Sequence, residues 1–159
     1  MNGAHAHLLV NHIPLFGACF GLVALVWSIL RQSKDMRWAA VALFVIAGIS
    51  GWIAMESGES AEELVEHLPG VTEAFIHEHE EAAEFANISA TVLAVAALVM
   101  SAISRYRPRY LKAALYTLVL IAVVTSAAMA RTAFLGGQVR HTEIRSISGE
   151  GTGEGSDAD

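Results

Sequence analysis

Four long apolar segments constrain the fold of this chain more than any other feature. A helix needs roughly 20 mostly apolar residues to cross the hydrocarbon core of a bilayer. Segments that meet this requirement lie at about residues 8–30, 38–55, 82–103 and 110–130. The connections between the first and second and between the third and fourth segments are short, which favours neighbouring helices of opposite direction. The sequence therefore predicts an all-α membrane protein, an antiparallel four-transmembrane-helix bundle formed by one domain, residues 1–147.

The charged residues predict how this bundle is oriented. Most of the 10 lysine and arginine residues lie in two tight loops, residues 31–37 and 105–112, whereas every acidic residue except Asp35 lies at the other ends of the spans. Cytoplasmic loops carry the excess of positive charge in membrane proteins. We therefore expect a multi-pass protein of the bacterial inner membrane, with both termini and the connection of residues 56–81 on the periplasmic side.

The external connection has sequence signals of its own. A Ser-Ala-Glu-Glu motif at residues 60–63 is a capping box, which predicts the start of a short helix that ends near His67. Pro69 and Gly70 indicate a turn. A second helix is expected to begin near Thr72 and to continue into the third span.

The C-terminal part contains two further signals. Gly136 and Gly137 follow the fourth span and predict the end of its helix, with the chain turning back over the bundle. Residues 148–159 are glycine, serine and acidic residues with little to bury, so we predict a disordered tail.

Histidine is the residue type that points to a function. All 7 histidines lie at the outer ends of the predicted spans, away from the basic loops, and they are His5, His7, His12, His67, His77, His79 and His141. Imidazole is a common ligand of haem iron and of transition metals. The single cysteine cannot form an internal disulfide and excludes a Cys-x-x-Cys-His attachment site, so any haem is held without a covalent bond.

His12 and His79 are the first candidates for metal ligands. Asn11 is a plausible N-cap, so His12 is expected in the first turn of the first span, at the outer interface. His79 shares a helical face with Ala86 and Ala90, which is expected to point into the bundle. His77 lies about 200° away on a face rich in glutamate, so we expect it to meet solvent.

Further candidates surround these two histidines. His7 and His141 are the alternative ligands. Arg131 and Arg140 are expected at the outer rim, where an arginine is costly unless it meets an anion such as a haem propionate or Glu56.

Three stretches carry a resemblance to a known group of proteins. They are the run of residues 7–17, which reads His-Leu-Leu-Val-Asn-His-Ile-Pro-Leu-Phe-Gly, then His79-Glu-Glu, then Leu-Gly-Gly-Gln-Val-Arg-His-Thr-Glu at residues 135–143. The chain resembles a group of uncharacterised four-helix bacterial membrane proteins. That group is similar to small predicted haem-binding membrane proteins whose first helix opens with His-Phe-Pro, where this chain has His-Ile-Pro. The resemblance implies a multi-pass inner-membrane protein.

Two hypotheses of different classes follow from these observations. The first is an electron-transfer subunit that binds haem b between His12 and His79 near the outer face, with a periplasmic electron carrier or other membrane redox subunits as partners. The second is a membrane protein that binds copper, zinc or iron through His7, His12, His79 and His141 with Glu56 or Glu81.

A third hypothesis is an accessory subunit of a larger membrane complex, in which the histidines lie at interfaces. In every case membrane lipid surrounds the protein and no nucleic-acid partner is expected. The sequence is compatible with either a monomer or a homo-oligomer. The chain has no Ser-His-Asp arrangement and no phosphate-binding glycine loop, so the sequence does not predict an enzyme.

Overall fold

The computed structural model describes residues 3–66 and 71–141, and the chain is helical through nearly all of this part, without a strand. The helices are α1 (Gly3–Val10), α2 (Ile13–Leu30), α3 (Lys34–Val65), α4 (Glu73–Tyr106) and α5 (Leu111–Arg140), with a 3₁₀ turn (Pro108–Tyr110) before α5. His67, the predicted Pro-Gly turn and the predicted disordered tail lie outside the described residues.

Four helical segments are long and apolar enough to cross a membrane, and they are His5–Leu30, Lys34–Gly58, Glu73–Tyr106 and Pro108–Val139. Many large apolar side chains lie on the outside of the bundle, among them Phe20, Val23 and Leu120, each at least 60% exposed. Such an exposed apolar surface suits contact with lipid, and helices satisfy their own backbone hydrogen bonds there. The all-helical class and the four candidate spans that the sequence predicts are thus confirmed.

The four long helices form a closed ring of contacts. The pairs in contact are α2 with α3, α3 with α4, α4 with α5, and α5 with α2, while α1 packs on α3. Between α3 and α4, Arg37 donates to Ser104 at one end and Trp52 donates to Thr91 further along. Between α4 and α5, Thr132 donates to the carbonyl oxygen of Ala82 over 2.9 Å. We call the end with residues 31–37 and 105–112 the basic end and the opposite end the histidine end.

The core differs between the two ends. Towards the basic end it is filled by large side chains that are almost fully buried, among them Leu25, Phe44, Leu93, Met100 and Leu118. Towards the histidine end the buried cluster is made of Ala86, Ala90 and Met129, with Leu15 and Ala128 against it. Small side chains let helices approach closely, so the histidine end holds its helices together by backbone proximity and hydrogen bonds.

Two helix boundaries differ from the sequence prediction. Helix α3 does not restart at Ser60 but continues unbroken to Val65, because the preceding turns already supply carbonyl partners to the N–H groups that a cap would satisfy. Helix α5 continues through Gly136 and Gly137 to Arg140, so the predicted stop is wrong. Glycine permits a helix end without requiring one.

The beginnings of two helices can also be compared with the sequence. Thr72 is the N-cap of α4, as predicted. The first apolar segment is interrupted at Asn11 and His12, and the N-cap of α2 is His12, one residue after the predicted Asn11. Pro14 lies in the first turn of α2, where its missing N–H leaves no helical hydrogen bond unmade.

We expect Gly21→Ala to destabilise the bundle. A Cβ at this position would lie 2.5 Å from Cε1 and 2.7 Å from Cδ1 of Phe44, whose side chain is fully buried and cannot swing away. Overpacking of this kind costs about 1–3 kcal/mol, which outweighs the gain of about 1 kcal/mol from replacing a helical glycine. Thermal unfolding in detergent measures the change.

Phe44→Leu supplies the control, because the shorter side chain makes room for the new methyl group. The double variant should be more stable than the sum of the two single effects allows. A Gly21→Ala protein at least as stable as the wild type would contradict the close helix contact.

Candidate functional site

His79 is held between α4 and α5 at the histidine end. Its Nδ1 lies 3.1 Å from the carbonyl oxygen of Thr132, one turn before Gly136 on α5. A Cβ at Gly136 would lie 2.9 Å from Cε1 of the imidazole, so the ring occupies the space that any other residue would fill. The Thr132 hydroxyl donates in turn to Ala82 on α4. Backbone and side chain of Thr132 therefore fix the position of His79.

His7 is held in a similar way between α1 and α3. Its Nδ1 lies 3.0 Å from the carbonyl oxygen of Ala54 and 3.5 Å from the hydroxyl of Ser57. A Cβ at Gly58 would meet the ring at 3.7 Å, an ordinary van der Waals contact. The side chain is half-buried.

The two imidazoles share one hydrogen-bonding pattern. A carbonyl oxygen only accepts, so Nδ1 of each ring carries the proton and donates it to Ala54 or Thr132. In the neutral ring, Nε2 then has an available lone pair. Histidines that bind metals commonly donate their other N–H to a backbone carbonyl, which fixes the tautomer and the ring orientation. The structure thus places two imidazoles of the same tautomer at the histidine end, each with its lone pair on Nε2.

The other predicted ligands have different surroundings. His12 is exposed, its Nδ1 hydrogen-bonds to the side chain of Asn11, and its ring stacks with Phe16 at a centroid distance of 6.3 Å. His141 is the exposed C-cap of α5, and its backbone N–H donates to Gly137. His77 is exposed, as expected, and lies 3.3 Å from Glu81.

The two predicted arginines lie near the end of α5. Arg131 is 3.7 Å from Glu78, with side chains 64% and 52% exposed, so its anionic neighbour here is Glu78 rather than Glu56. Such an exposed pair contributes at most about 1 kcal/mol. Arg140 is the last residue of α5, and its side chain lies outside the described part.

Two carboxyl groups link the last turns of α3 to the first turns of α4. Glu62 and Glu80 share a hydrogen bond, which raises the pKa of Glu62 above its usual value, with smaller contributions from burial and from the like charge of Glu80. The protonated form of Glu62 therefore persists to higher pH than in an isolated glutamate. This contact lies at the histidine end.

Thr132, Gly136 and Asn87 are not among the site residues that the sequence predicts. Asn87 is 3% exposed on α4, and within the described residues its Oδ1 has no hydrogen-bond partner. An asparagine in the middle of an apolar span is a signal for a polar contact inside the bundle. The two adjacent glycines were noticed but interpreted as a helix end. The role of Thr132 depends on its backbone carbonyl, which no side-chain pattern reveals.

No group of three or more histidine, cysteine, aspartate or glutamate side chains suited to a metal ion occurs in the described ranges. No family model, no curated protein and no solved structure matches the chain.

We expect Gly136→Ala to destabilise the protein by about 1 kcal/mol despite the higher helix propensity of alanine. The new methyl group overlaps the His79 ring, which its hydrogen bond to Thr132 holds in place. Gly58→Ala is the matched control, because its Cβ meets the His7 ring at 3.7 Å and should leave the stability unchanged or higher. Thermal unfolding of both variants measures the difference, and equal stability would argue against the close packing of His79 on α5.

Proposed function

We propose that this protein is an integral membrane electron-transfer subunit that binds a b-type haem at the histidine end, where His7 and His79 would hold it. The observation that carries the proposal is that these two imidazoles, on different helices of the same end, each have Nδ1 bonded to a backbone carbonyl and the lone pair on Nε2. Two imidazoles would suffice to hold such a haem.

The core of the histidine end suits such a group. The buried cluster at the histidine end consists of Ala86, Ala90 and Met129, which are small or flexible side chains. Methionine adapts its shape readily to neighbouring groups. His7 is favoured over His12 as the partner of His79, because His12 is exposed and bonded to its neighbour Asn11.

The chain's own residues orient and tune the ligands. A bound haem supplies reversible one-electron chemistry at its iron. The carbonyl groups of Ala54 and Thr132 hold the Nδ1 protons, which keeps both imidazoles in the tautomer that donates through Nε2. The fixed rotation of the rings limits the structural change that accompanies a change in charge.

The proposed partner is a basic electron carrier or another redox subunit. The start of α4 presents the exposed acidic residues Glu73, Glu78, Glu80, Glu81 and Glu84 at the histidine end. A surface with one sign of charge raises the encounter rate with a partner of opposite charge, and salt weakens this effect. The acidic surface thus favours a basic carrier on the same side of the membrane as the haem.

We further propose that the four spans form an antiparallel bundle with the histidine end outside the cell membrane. The order of contacts between α3 and α4 supports this. Arg37, near the start of α3, bonds to Ser104 near the end of α4, whereas Trp52, later in α3, bonds to Thr91, earlier in α4. The charge bias of the loops supports the orientation.

Cysteine labelling tests the orientation. In a Cys19→Ala background, Glu73→Cys should react with a membrane-impermeant maleimide in intact spheroplasts, whereas Asp35→Cys should react only after lysis. Both residues are exposed, and they lie at opposite ends of the bundle. A difference in labelling therefore reports which side of the membrane each residue is on. The reverse labelling pattern would assign the histidine end, and with it the proposed haem site, to the cytoplasmic side.

The haem content of the purified protein tests the function. We expect one protohaem per chain by the pyridine haemochrome assay, released by acidified acetone because the chain has no covalent attachment motif. Elemental analysis for copper, zinc and iron on the same sample distinguishes a metal site. Protein without haem, expressed with adequate haem supply, would overturn the proposal.

A further inference from the structure

A small cavity of about 50 Å³ lies at the basic end, between the beginning of α3 and the end of α4. The residues that line it are Lys34, Arg37, Trp38, Val41, Ser101 and Ser104. Two cations, two hydroxyl groups and one indole thus converge on a space of roughly the volume of one or two water molecules, about 30 Å³ each. This composition is that of an anion site.

Arg37 is the central residue of this cavity. Its Nη1 donates to the hydroxyl of Ser104 over 3.4 Å, which points the guanidinium towards α4. Its Nε is buried and, within the described residues, has no hydrogen-bond partner. A buried donor without an acceptor is costly, particularly on a charged group. An acceptor bound beside Arg37 would satisfy this group.

No carboxylate of the described residues lies within ion-pair distance of Lys34 or Arg37. Two ion pairs of the described part, His77 with Glu81 and Arg131 with Glu78, lie at the histidine end. Asp35 is adjacent to Lys34 in sequence but forms no ion pair with it among the described contacts. The positive charge of the cavity is thus left for an external anion.

The cavity lies at the basic end of the spans, where lipid headgroups are expected. Arginine–aromatic stacks mark the same end of the bundle, with Arg31 over Trp27 and Arg109 over Tyr110. Trp38, which lines the cavity, is 64% exposed on the bundle surface. Tryptophan and tyrosine concentrate at the membrane–water interface, with their polar edges at the headgroups.

We propose that this cavity binds the phosphate group of an anionic phospholipid. Arginine recognises phosphate oxygens through its planar array of N–H groups, and lysine adds charge. Basic pockets between transmembrane helices are suited to anionic lipid headgroups. A free phosphate ion has the same chemistry, but a lipid also places its acyl chains against the apolar surface beside Trp38. The lipid therefore gains contacts that the ion lacks.

Native mass spectrometry of the delipidated full-length protein in neutral detergent tests this. Phosphatidylglycerol, phosphatidylcholine with the same acyl chains, and inorganic phosphate are titrated in turn. We expect one phosphatidylglycerol to bind at least tenfold more tightly than phosphatidylcholine, with inorganic phosphate much weaker than the lipid. Arg37→Gln should reduce this preference about tenfold, and Lys34→Gln, at an exposed position that leaves folding intact, should reduce it several-fold.

Arg109→Gln is the matched control, because Arg109 lies at the same end of the bundle, stacks on Tyr110 and does not line the cavity. It should retain the preference for phosphatidylglycerol. An equal loss in Arg37→Gln and Arg109→Gln would mean diffuse attraction to the basic end and would overturn the proposal. Inorganic phosphate that binds as tightly as the lipid would overturn the lipid assignment.

Discussion

Replacement of His79 by asparagine is expected to abolish haem binding while the bundle stays folded. The new side-chain amide can still donate to the carbonyl of Thr132 from the place of Nδ1, but it has no group at the place of Nε2. Loss of even an outer contact of a metal ligand lowers metal affinity by about 10–100-fold, so loss of the ligand itself should reduce the haem-to-protein ratio more than tenfold. The pyridine haemochrome assay on purified protein measures this ratio.

His77→Ala is the control for this variant. His77 lies on the same helix, two residues away, but is exposed and paired with Glu81. Its replacement should leave the haem content within experimental error of the wild type. If both variants kept their haem, His79 would not be an axial ligand.

The second large effect is expected at His7. His7→Asn retains a donor to the Ala54 carbonyl but removes Nε2, and it should therefore lose haem to the same extent as the His79 variant. His12→Ala should retain the haem, because the exposed His12 ring bonds to Asn11 and stacks on Phe16. The haem-to-protein ratios of the two variants decide between the pairs His7–His79 and His12–His79.

Stability measurements separate a lost ligand from a lost fold. The asparagine variants keep the backbone contacts of α1 with α3 and of α4 with α5, so thermal unfolding of their haem-free forms should match that of the haem-free wild type. A His12→Ala protein without haem, beside a His7→Asn protein with haem, would return the ligand role to His12.

The spans could be predicted from the sequence because membrane insertion depends on a local property. Length and apolar composition are readable in each segment separately, and the described helices confirm all four candidates. The N-cap of α4 at Thr72 could be predicted for the same reason, because capping depends on a few neighbouring residues.

The helix start predicted at Ser60 and the helix end predicted at Gly136 are wrong, because a local signal does not include what packs against that turn. A capping box and a glycine pair each permit an end, but the choice depends on what packs against that turn. At Gly136 the partner is the ring of His79, which lies 57 residues earlier in the sequence and requires a helical residue without a side chain. At Gly136, tertiary packing thus overrode the local signal for a helix end.

The candidate site could be predicted only in part. The histidine-rich end and the inward face of His79 followed from charge bias and helical periodicity. The partner proposed for His79 did not, because it depends on how α1, which precedes the interruption at Asn11 and His12, packs on α3. The sequence favoured His12, which belongs to the longer apolar segment, whereas the hydrogen bonds favour His7.

The absorption spectrum of the purified wild-type protein, oxidised, reduced, and reduced under carbon monoxide, tests the central claim most directly. We expect a low-spin b-type spectrum whose bands shift on reduction and do not change with carbon monoxide, because His7 and His79 would leave the iron no free position. A colourless protein, expressed with adequate haem supply, would contradict haem binding. A reduced form that binds carbon monoxide at once would contradict ligation by both His7 and His79.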